Sequence, residues 1–303
     1  DILELDQNLR VLEHNGQCFN VEERLRLNMG LQQLLNEAAD SDFEELLFWG
    51  RVSGTRSDYY IAMGVTYKHQ YEFPCKTFYF ASSNDFIFKK FRDMNTQHRE
   101  QYDKILTPFI GDSAHVYIKE EREVDPGAQA AEAQPTEEVE RDPLEDTPPE
   151  DPSKGVTYRS LIEEDRLLYT VMAVENDCQI CPHGAFRLTE AHEVERNVAF
   201  RGLNRDRTFS LSYYSHFRNV QDEAKKTALL ADDAVFQPDF LDEVATDLPM
   251  GCWSIQPDTT NEVAIIRNNL WAGFTAYHKT GCGDFGSVYV GDGVKNIDLC
   301  FQM

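Results

Sequence analysis

The chain has 303 residues, 41% hydrophobic and 12% aromatic, enough to bury a core without disulfides or metal. Fifty-three acids against 29 bases give a formal charge of −24. That balance argues against a general nucleic-acid binder, which must displace counterions from phosphates, and against docking on anionic lipid.

The chain opens on Asp1 rather than Met, so the natural N-terminus is expected to lie upstream. The first element is a helix. Asn20 and Glu23 have capping-box spacing, and Val21, Leu25, Met29 or Leu31, and Leu34–Leu35 repeat at helical intervals to about Asn36. LLFWGRVSG (46–54) and YYIAMGVTY (59–67) flank the polar turn Thr55–Asp58 and read as a β-hairpin. KTFYFAS (76–82) is a further strand, and Asp103–Leu106 is read as helical before Pro108.

Between Glu120 and Asp151 the character changes: thirteen acids, two bases, five prolines and no aromatic residue, a net −11. Such a stretch buries too little apolar area to offset chain entropy and is expected to be disordered. It divides the chain into an N-terminal part (1–119), an acidic Pro-rich insertion (120–155) and a C-terminal part (156–303), the outer two forming one body. Loop entropy grows slowly with length, so an insertion of this size costs little.

The C-terminal part opens on SLIEEDRLLYTVMAVEN (160–176), a helix with Ser160 as N-cap, Glu163 at capping-box spacing, and Leu161, Leu168, Val171 and Met172 on one face. The pair Glu163–Glu164 is read as solvated. Strand-like residues follow near Gly184–Leu188, and DEAKKTALLADDAV (222–235) is a short helix. GCWSIQ (251–256), EVAIIRNNLWAGFTAYH (262–278), GSVYVGDG (286–293) and NIDLCF (296–301) then read as a β-meander with short turns at Pro257–Thr260 and Thr280–Asp284. The class is α+β: a mostly antiparallel sheet with an N-terminal helix and a few flanking helices. No apolar run approaches the roughly 20 residues that span a bilayer.

Few residues carry a chemical signature. The seven cysteines are odd in number and scattered, unlike a secreted disulfide framework, and read as reduced thiols. Cys178 and Cys181, with His183 beside them, have zinc-knuckle spacing, but no second ligand pair accompanies them, so buried thiols are the preferred reading and no metal is expected. No GxGxxG, Walker P-loop, HExxH or GxSxG is present, and no cofactor is expected. Gly281, Gly283, Gly291 and Gly293 fit turns, as do Asp292 to Asp298, which lack a closing calcium-loop Glu. His216, among aromatic neighbours, reads as a packed histidine. The prominent feature is aromatic: Trp49, Tyr59, Tyr60, Trp253, Trp271, Tyr277 and Tyr289 fall on strands or at their ends. They are read as sheet core or, alternatively, as a protein–protein interface, where Trp and Tyr concentrate. The residues alone point to a non-enzymatic interaction protein.

Several segments also resemble one family: LLFWGRVSGTRSDYYIAMG (46–64), FIGD (109–112), EEDRLLYTV (163–171), PHGAFRLT (182–189), FRGL (200–203), SLSYYSHFR (210–218), LPMGCWSIQ (248–256), LWAGFTAYH (270–278) and GSVYVGDGVKNIDLCF (286–301). Together, in this order, they are similar to the radial spoke head protein 9 family, with Ala272 where proline is expected. The LWAGFTAY and YVGDG blocks are also similar to spoke head proteins 4 and 6. The resemblance implies a non-catalytic subunit of the axonemal radial spoke head in motile cilia and flagella, made in the cytoplasm. It implies a role in spoke head assembly and in mechanical signalling between the central pair and the dynein arms. The implied partners are spoke head proteins 4, 6 and 1, other spoke subunits and, transiently, central pair projections. No catalytic residue carries over. The alternatives are an acidic cytosolic adaptor or assembly factor, or a cysteine-dependent hydrolase.

Overall fold

Large side chains stand at consecutive positions in 46–49, 59–61 and 78–80, and the pleat of a strand sends neighbours to opposite faces, so both faces of a sheet become apolar. The computed structural model describes residues 5–13, 16, 18–37, 43–67, 73–92, 99–102, 105–118, 161–230 and 237–302. Strands β1 (Glu45–Val52) and β2 (Tyr59–Thr66) form the expected hairpin, with Val52 opposite Tyr59. β3 (Cys75–Ser82) extends it, and the two-residue β4 (Lys89–Lys90) ends that side with exposed charge. Charged, short edge strands discourage further pairing.

Short pairs occupy the middle of the chain. β5 (Val116–Ile118) meets β6 (Leu161–Ile162). Next come β7 (Ile180–Pro182), β8 (Phe186–Leu188), β9 (Val194–Arg196) and β10 (Tyr214–His216), with β7 paired to β10 and β8 to β9. The meander then follows as β11 (Trp253–Pro257), β12 (Val263–Asn268), β13 (Phe274–Lys279) and β14 (Phe285–Gly291), antiparallel throughout.

One further pairing joins the two parts. β14 lies parallel to β1, with Gly50 opposite Tyr289 and Val52 opposite Gly291. A single eight-stranded sheet results, in the order β11-β12-β13-β14-β1-β2-β3-β4. Gly50 has φ +153°, and a Cβ there would collide with the Tyr289 backbone oxygen, so the junction requires glycine. The crossover for this parallel pair is most of the chain, a connection that local reading of turns does not reveal.

Both faces of the sheet are covered. Helices α1 (Leu5–Glu13) and α2 (Val21–Glu37) bury Leu5, Leu9, Leu27, Leu31 and Leu34 against Tyr60, Tyr79, Ile265 and Tyr277. Helix α3 (Glu163–Cys178) buries Leu167, Val171 and Val174 against Tyr59, Ile61, Trp253, Ile266 and Tyr289 on the other face. A satellite cluster, including Cys181, Phe186, Phe217 and Phe240, fills the space beside β7–β10. The architecture is α+β, as expected, and no helix among the described residues is long and apolar enough to cross a membrane.

Several local expectations need correction. Helix α2 forms, and the Asn20 backbone N–H donates to Glu23 Oε2 at 2.8 Å, the returning half of a capping box. Its buried residues, however, are Leu27, Gly30, Leu31 and Leu34, whereas Val21, Leu25, Met29 and Leu35 face outward. Gly30 decides the orientation: its missing Cβ lets the helix approach the backbone at Phe86. Helix α3 starts at Glu163, with extended Ile162 at its N-cap; Ser160 lies outside the described residues. The run 262–278 is two strands, because Asn268 Oδ1 accepts the Leu270 and Trp271 N–H groups and turns the chain. Leu299–Gln302 is a turn of helix rather than strand. Of the expected helix 103–106, residues 103 and 104 lie outside the described residues and Ile105 and Leu106 are not helical; the nearest helical turn is Arg99–Tyr102. A seven-residue helix, Glu223–Leu229, begins 222–235, capped by Asp222; residues 231–236 lie outside the described residues. The acidic segment 120–151 also lies outside them.

Candidate functional site

Trp49, Tyr59, Tyr60, Trp253, Trp271, Tyr277 and Tyr289 are all buried, none more than 6% exposed. Period-two alternation on a sheet covered on both faces places Tyr60 and Tyr277 under α1 and α2, and the other five on the α3 face. Their side chains lie inside the chain's own core and offer almost no area to a partner. Of the two readings given for them, sheet core describes where they lie.

Their polar tips follow one rule. Each indole N–H donates to a carboxylate: Trp49 to Glu175 Oε2 at 2.8 Å, Trp253 to Asp247 Oδ2 at 2.7 Å, and Trp271 to Asp177 Oδ2 at 3.0 Å. The Tyr59 hydroxyl donates to Glu163 Oε1 at 2.8 Å, and Tyr60 donates to Glu23. Burial, with the neighbouring carboxylates, pushes both phenols above their ordinary range. The Tyr289 hydroxyl instead accepts the Gly293 N–H at 2.9 Å. An aromatic ring brings apolar area to a core only if its polar atom finds a partner, and here acids supply most partners.

Helix α3 is the chief source of these acids. Glu163, Leu167, Val171 and Glu175 recur every four residues, so its carboxylates share a stripe with its core residues. Glu163 is fully buried. Besides Tyr59 it accepts the Tyr117 hydroxyl at 2.6 Å and the backbone N–H groups of Ile110, Gly111 and Asp112. Arg166 donates to the carbonyls of Ile105 and Thr107 and lies over the Phe109 ring. Glu175 also binds Lys76 Nζ at 2.6 Å, and that lysine sits 4.5 Å from the Phe217 ring centre. The Glu163–Glu164 pair, expected on a solvated face, is therefore buried. Sequence reading missed these acids as organising groups, although their four-residue spacing from Leu167 and Val171 carried the signal.

The remaining candidates are also structural in placement. Cys178 belongs to the α3-side core and Cys181 to the satellite cluster, so the two thiols face different interiors. Burial raises both, Cys181 to about 12, which keeps them protonated at neutral pH. Among the described residues no three His, Cys, Asp or Glu side chains gather as a metal site. His216 is packed beside Trp253, its Nε2 2.7 Å from Asp247 Oδ2.

Ionisable groups here tie a helix, a loop and a sheet together, an arrangement that fits a scaffold class of protein. The comparisons agree with that class. A family model described as radial spokehead-like protein matches residues 1–160. The chain is 30% identical to the radial spoke head protein 9 homolog of Mus musculus, across 98% of this chain and 97% of that one. It is 29% identical to the Homo sapiens homolog, over 98% and 97%, and to the Bos taurus homolog, over 97% of each. The chain belongs to the radial spokehead-like family, within its radial spoke head protein 9 group. The family is structural and non-catalytic, a component of the radial spokes of ciliary and flagellar axonemes that contacts other spoke components.

Proposed function

We propose that the chain is a spoke head subunit needed to assemble the head and to pass mechanical signals between the central pair and the dynein arms. Its direct partners in this reading are spoke head proteins 4 and 6, with spoke head protein 1 and other spoke subunits in the same head and the central pair projections as transient contacts. It is made in the cytoplasm and incorporated into the axoneme. The observation that carries the reading is the likeness along almost the whole chain to spoke head proteins. A body stiffened by a continuous sheet and by buried acid–aromatic ties supports it, since force passes through close-packed interiors with little loss.

The seven aromatic residues enter this reading as supports. They hold β11–β14 and their turns in position, and partners meet what those elements expose. Co-expression with spoke head proteins 4 and 6, followed by affinity purification, tests the assignment. Stoichiometric co-purification that survives the salt wash of axonemes is expected. A chain found only in the soluble fraction, with no spoke head protein attached, would instead support the acidic adaptor.

A further inference from the structure

The eight-stranded sheet is open at its centre. β1 and β14 pair only where Gly50–Val52 meet Tyr289–Gly291, so Glu45–Trp49 and Phe285–Val288 have no partner in each other. The cause lies in β1, whose register against β2 shifts between Phe48 and Gly50; a bulge bends its own strand and ends a ladder. A cavity of about 160 Å³ occupies the gap. Leu9 of α1, Met63, Phe186, Phe217 and Phe285 supply its apolar wall, with the Phe186 and Phe217 rings stacked at 4.3 Å. Glu45 borders it too, accepting from the Tyr67 hydroxyl at 3.1 Å and from Arg196 at 3.2 Å. That half-exposed Arg196–Glu45 pair marks the opening to solvent.

One edge inside the cavity is left unsatisfied. The Ser53 N–H donates to the Gly291 carbonyl, and the Lys279 N–H to the Asp284 carbonyl. Backbone groups alternate sides along a strand, so even-numbered residues of β14 turn theirs to β13 and odd-numbered residues turn theirs to β1. Phe285 and Ser287 therefore aim their N–H and C=O groups into the gap. The Ser287 hydroxyl is engaged, donating to Gln179 Oε1 at 2.7 Å, but its backbone N–H and C=O have no partner among the described residues. A central strand with an unpaired donor and acceptor side by side, within an aromatic wall, is a recognition edge.

We propose that this gap binds a small planar aromatic molecule carrying a cyclic amide. In the plane of the sheet, the guest's N–H donates to the Ser287 carbonyl and its C=O accepts the Ser287 N–H, replacing the ladder bonds that β1 does not make. Its ring faces meet Leu9 on one side and the phenylalanine rings on the other, where stacked or edge contacts are favoured. Size sets the limit: a cavity of ~150 Å³ takes a guest of about benzene size, so a small fused-ring system is the upper bound. An inserted peptide strand does not fit, because its side chains would need the space above and below the sheet that α1 and the Phe186–Phe217 pair already fill. Ordered water is the competing occupant, and it satisfies the same two backbone groups without using the aromatic wall.

Isothermal titration calorimetry of the full chain with carbostyril, a bicyclic lactam, tests the proposal. Saturable binding is expected with a Kd on the order of 100 µM. N-methylcarbostyril keeps the ring and the carbonyl but lacks the N–H, and it should bind at least ~10-fold more weakly. Location is read by NMR in a chain carrying isotope-labelled serine, with the Ser287 amide assigned by its loss in Ser287→Ala. That amide should move on adding carbostyril. Leu47→Trp, which places an indole in the cavity, should abolish binding while the circular dichroism is unchanged. If that variant does not fold, the Ser287 amide decides. No saturable binding up to the solubility limit would leave water as the occupant and overturn the proposal. Equal affinity for the N-methyl compound would remove the donor–acceptor edge and overturn it too. Binding that leaves the Ser287 amide unmoved, or that survives in folded Leu47→Trp, would place the guest elsewhere and have the same consequence.

Discussion

Glu175 is 6% exposed, yet both of its oxygens are engaged, one by the Trp49 indole and one by the Lys76 ammonium. Removing its charge strands a lysine that is itself only 13% exposed. Glu175→Gln is expected to cost about 3–5 kcal/mol, the range for breaking one side of a buried ion pair. Urea unfolding should show it as a lower midpoint at an unchanged slope; a loss under 1 kcal/mol (roughly the worth of a surface pair) would contradict the tie. His278 gives a pH signature. Burial holds its imidazole below the ordinary value of 6.5, and its Nε2 accepts the Leu203 N–H at 3.0 Å, so the neutral ring is the folded form. The unfolded chain binds the proton more readily, so this stabilisation is present above pH 6.5 and is lost as pH falls below it. His183 shifts in the same direction, also through burial. The urea midpoint should drop between pH 7.5 and 5.5, and His278→Gln should reduce that drop. An equal drop in the variant would remove His278 from the account.

Among the elements, α2 shows where sequence reading succeeds and where it stops. Its start was legible from Asn20 and Glu23, whose hydrogen bond forms. Its buried face was not, because α2 carries apolar residues on two sides and periodicity cannot rank them. The choice came from Gly30 and its contact with residue 86, which is tertiary information. Leu27→Ala should therefore cost about 2–5 kcal/mol, as for a fully buried leucine, while Leu25→Ala should stay within about 0.5 kcal/mol. Matching losses by chemical denaturation would reverse the assigned face. The strands were more legible, since the hairpin 46–67 and the meander carry aromatic and β-branched runs and short turns. The break inside 262–278 was hidden, since Asn268 acts through a side-chain hydrogen bond that composition does not display. The buried acids were hidden for a related reason: an acid on an apolar stripe looks like a solvated residue until the aromatic donor from a distant strand is known.

At the scale of the molecule, the β1–β14 pairing joins residues from the two ends of the chain into one sheet. Any change at that junction acts on both parts. Gly50→Ala meets both an unfavourable φ and the backbone at Tyr289, and it is expected to prevent folding or to cost more than about 3 kcal/mol. Soluble, cooperatively folding Gly50→Ala protein with an unchanged thermal midpoint would contradict that. The acidic segment 120–151 is a separate case. It holds −11 of the charge, leaving −13 elsewhere, and its composition is short of apolar residues. Deleting 120–151 should shift the thermal midpoint by no more than a few degrees; a larger fall would show that it belongs to the folded body.

In the proposed function this chain is needed to build the spoke head. Cryo-electron tomography of axonemes from cells that lack it tests this most directly. Stalks that reach toward the central pair without complete heads are expected, with heads restored by re-expressing the intact chain. Complete heads in every averaged spoke, in cells verified to contain no such chain, would contradict it.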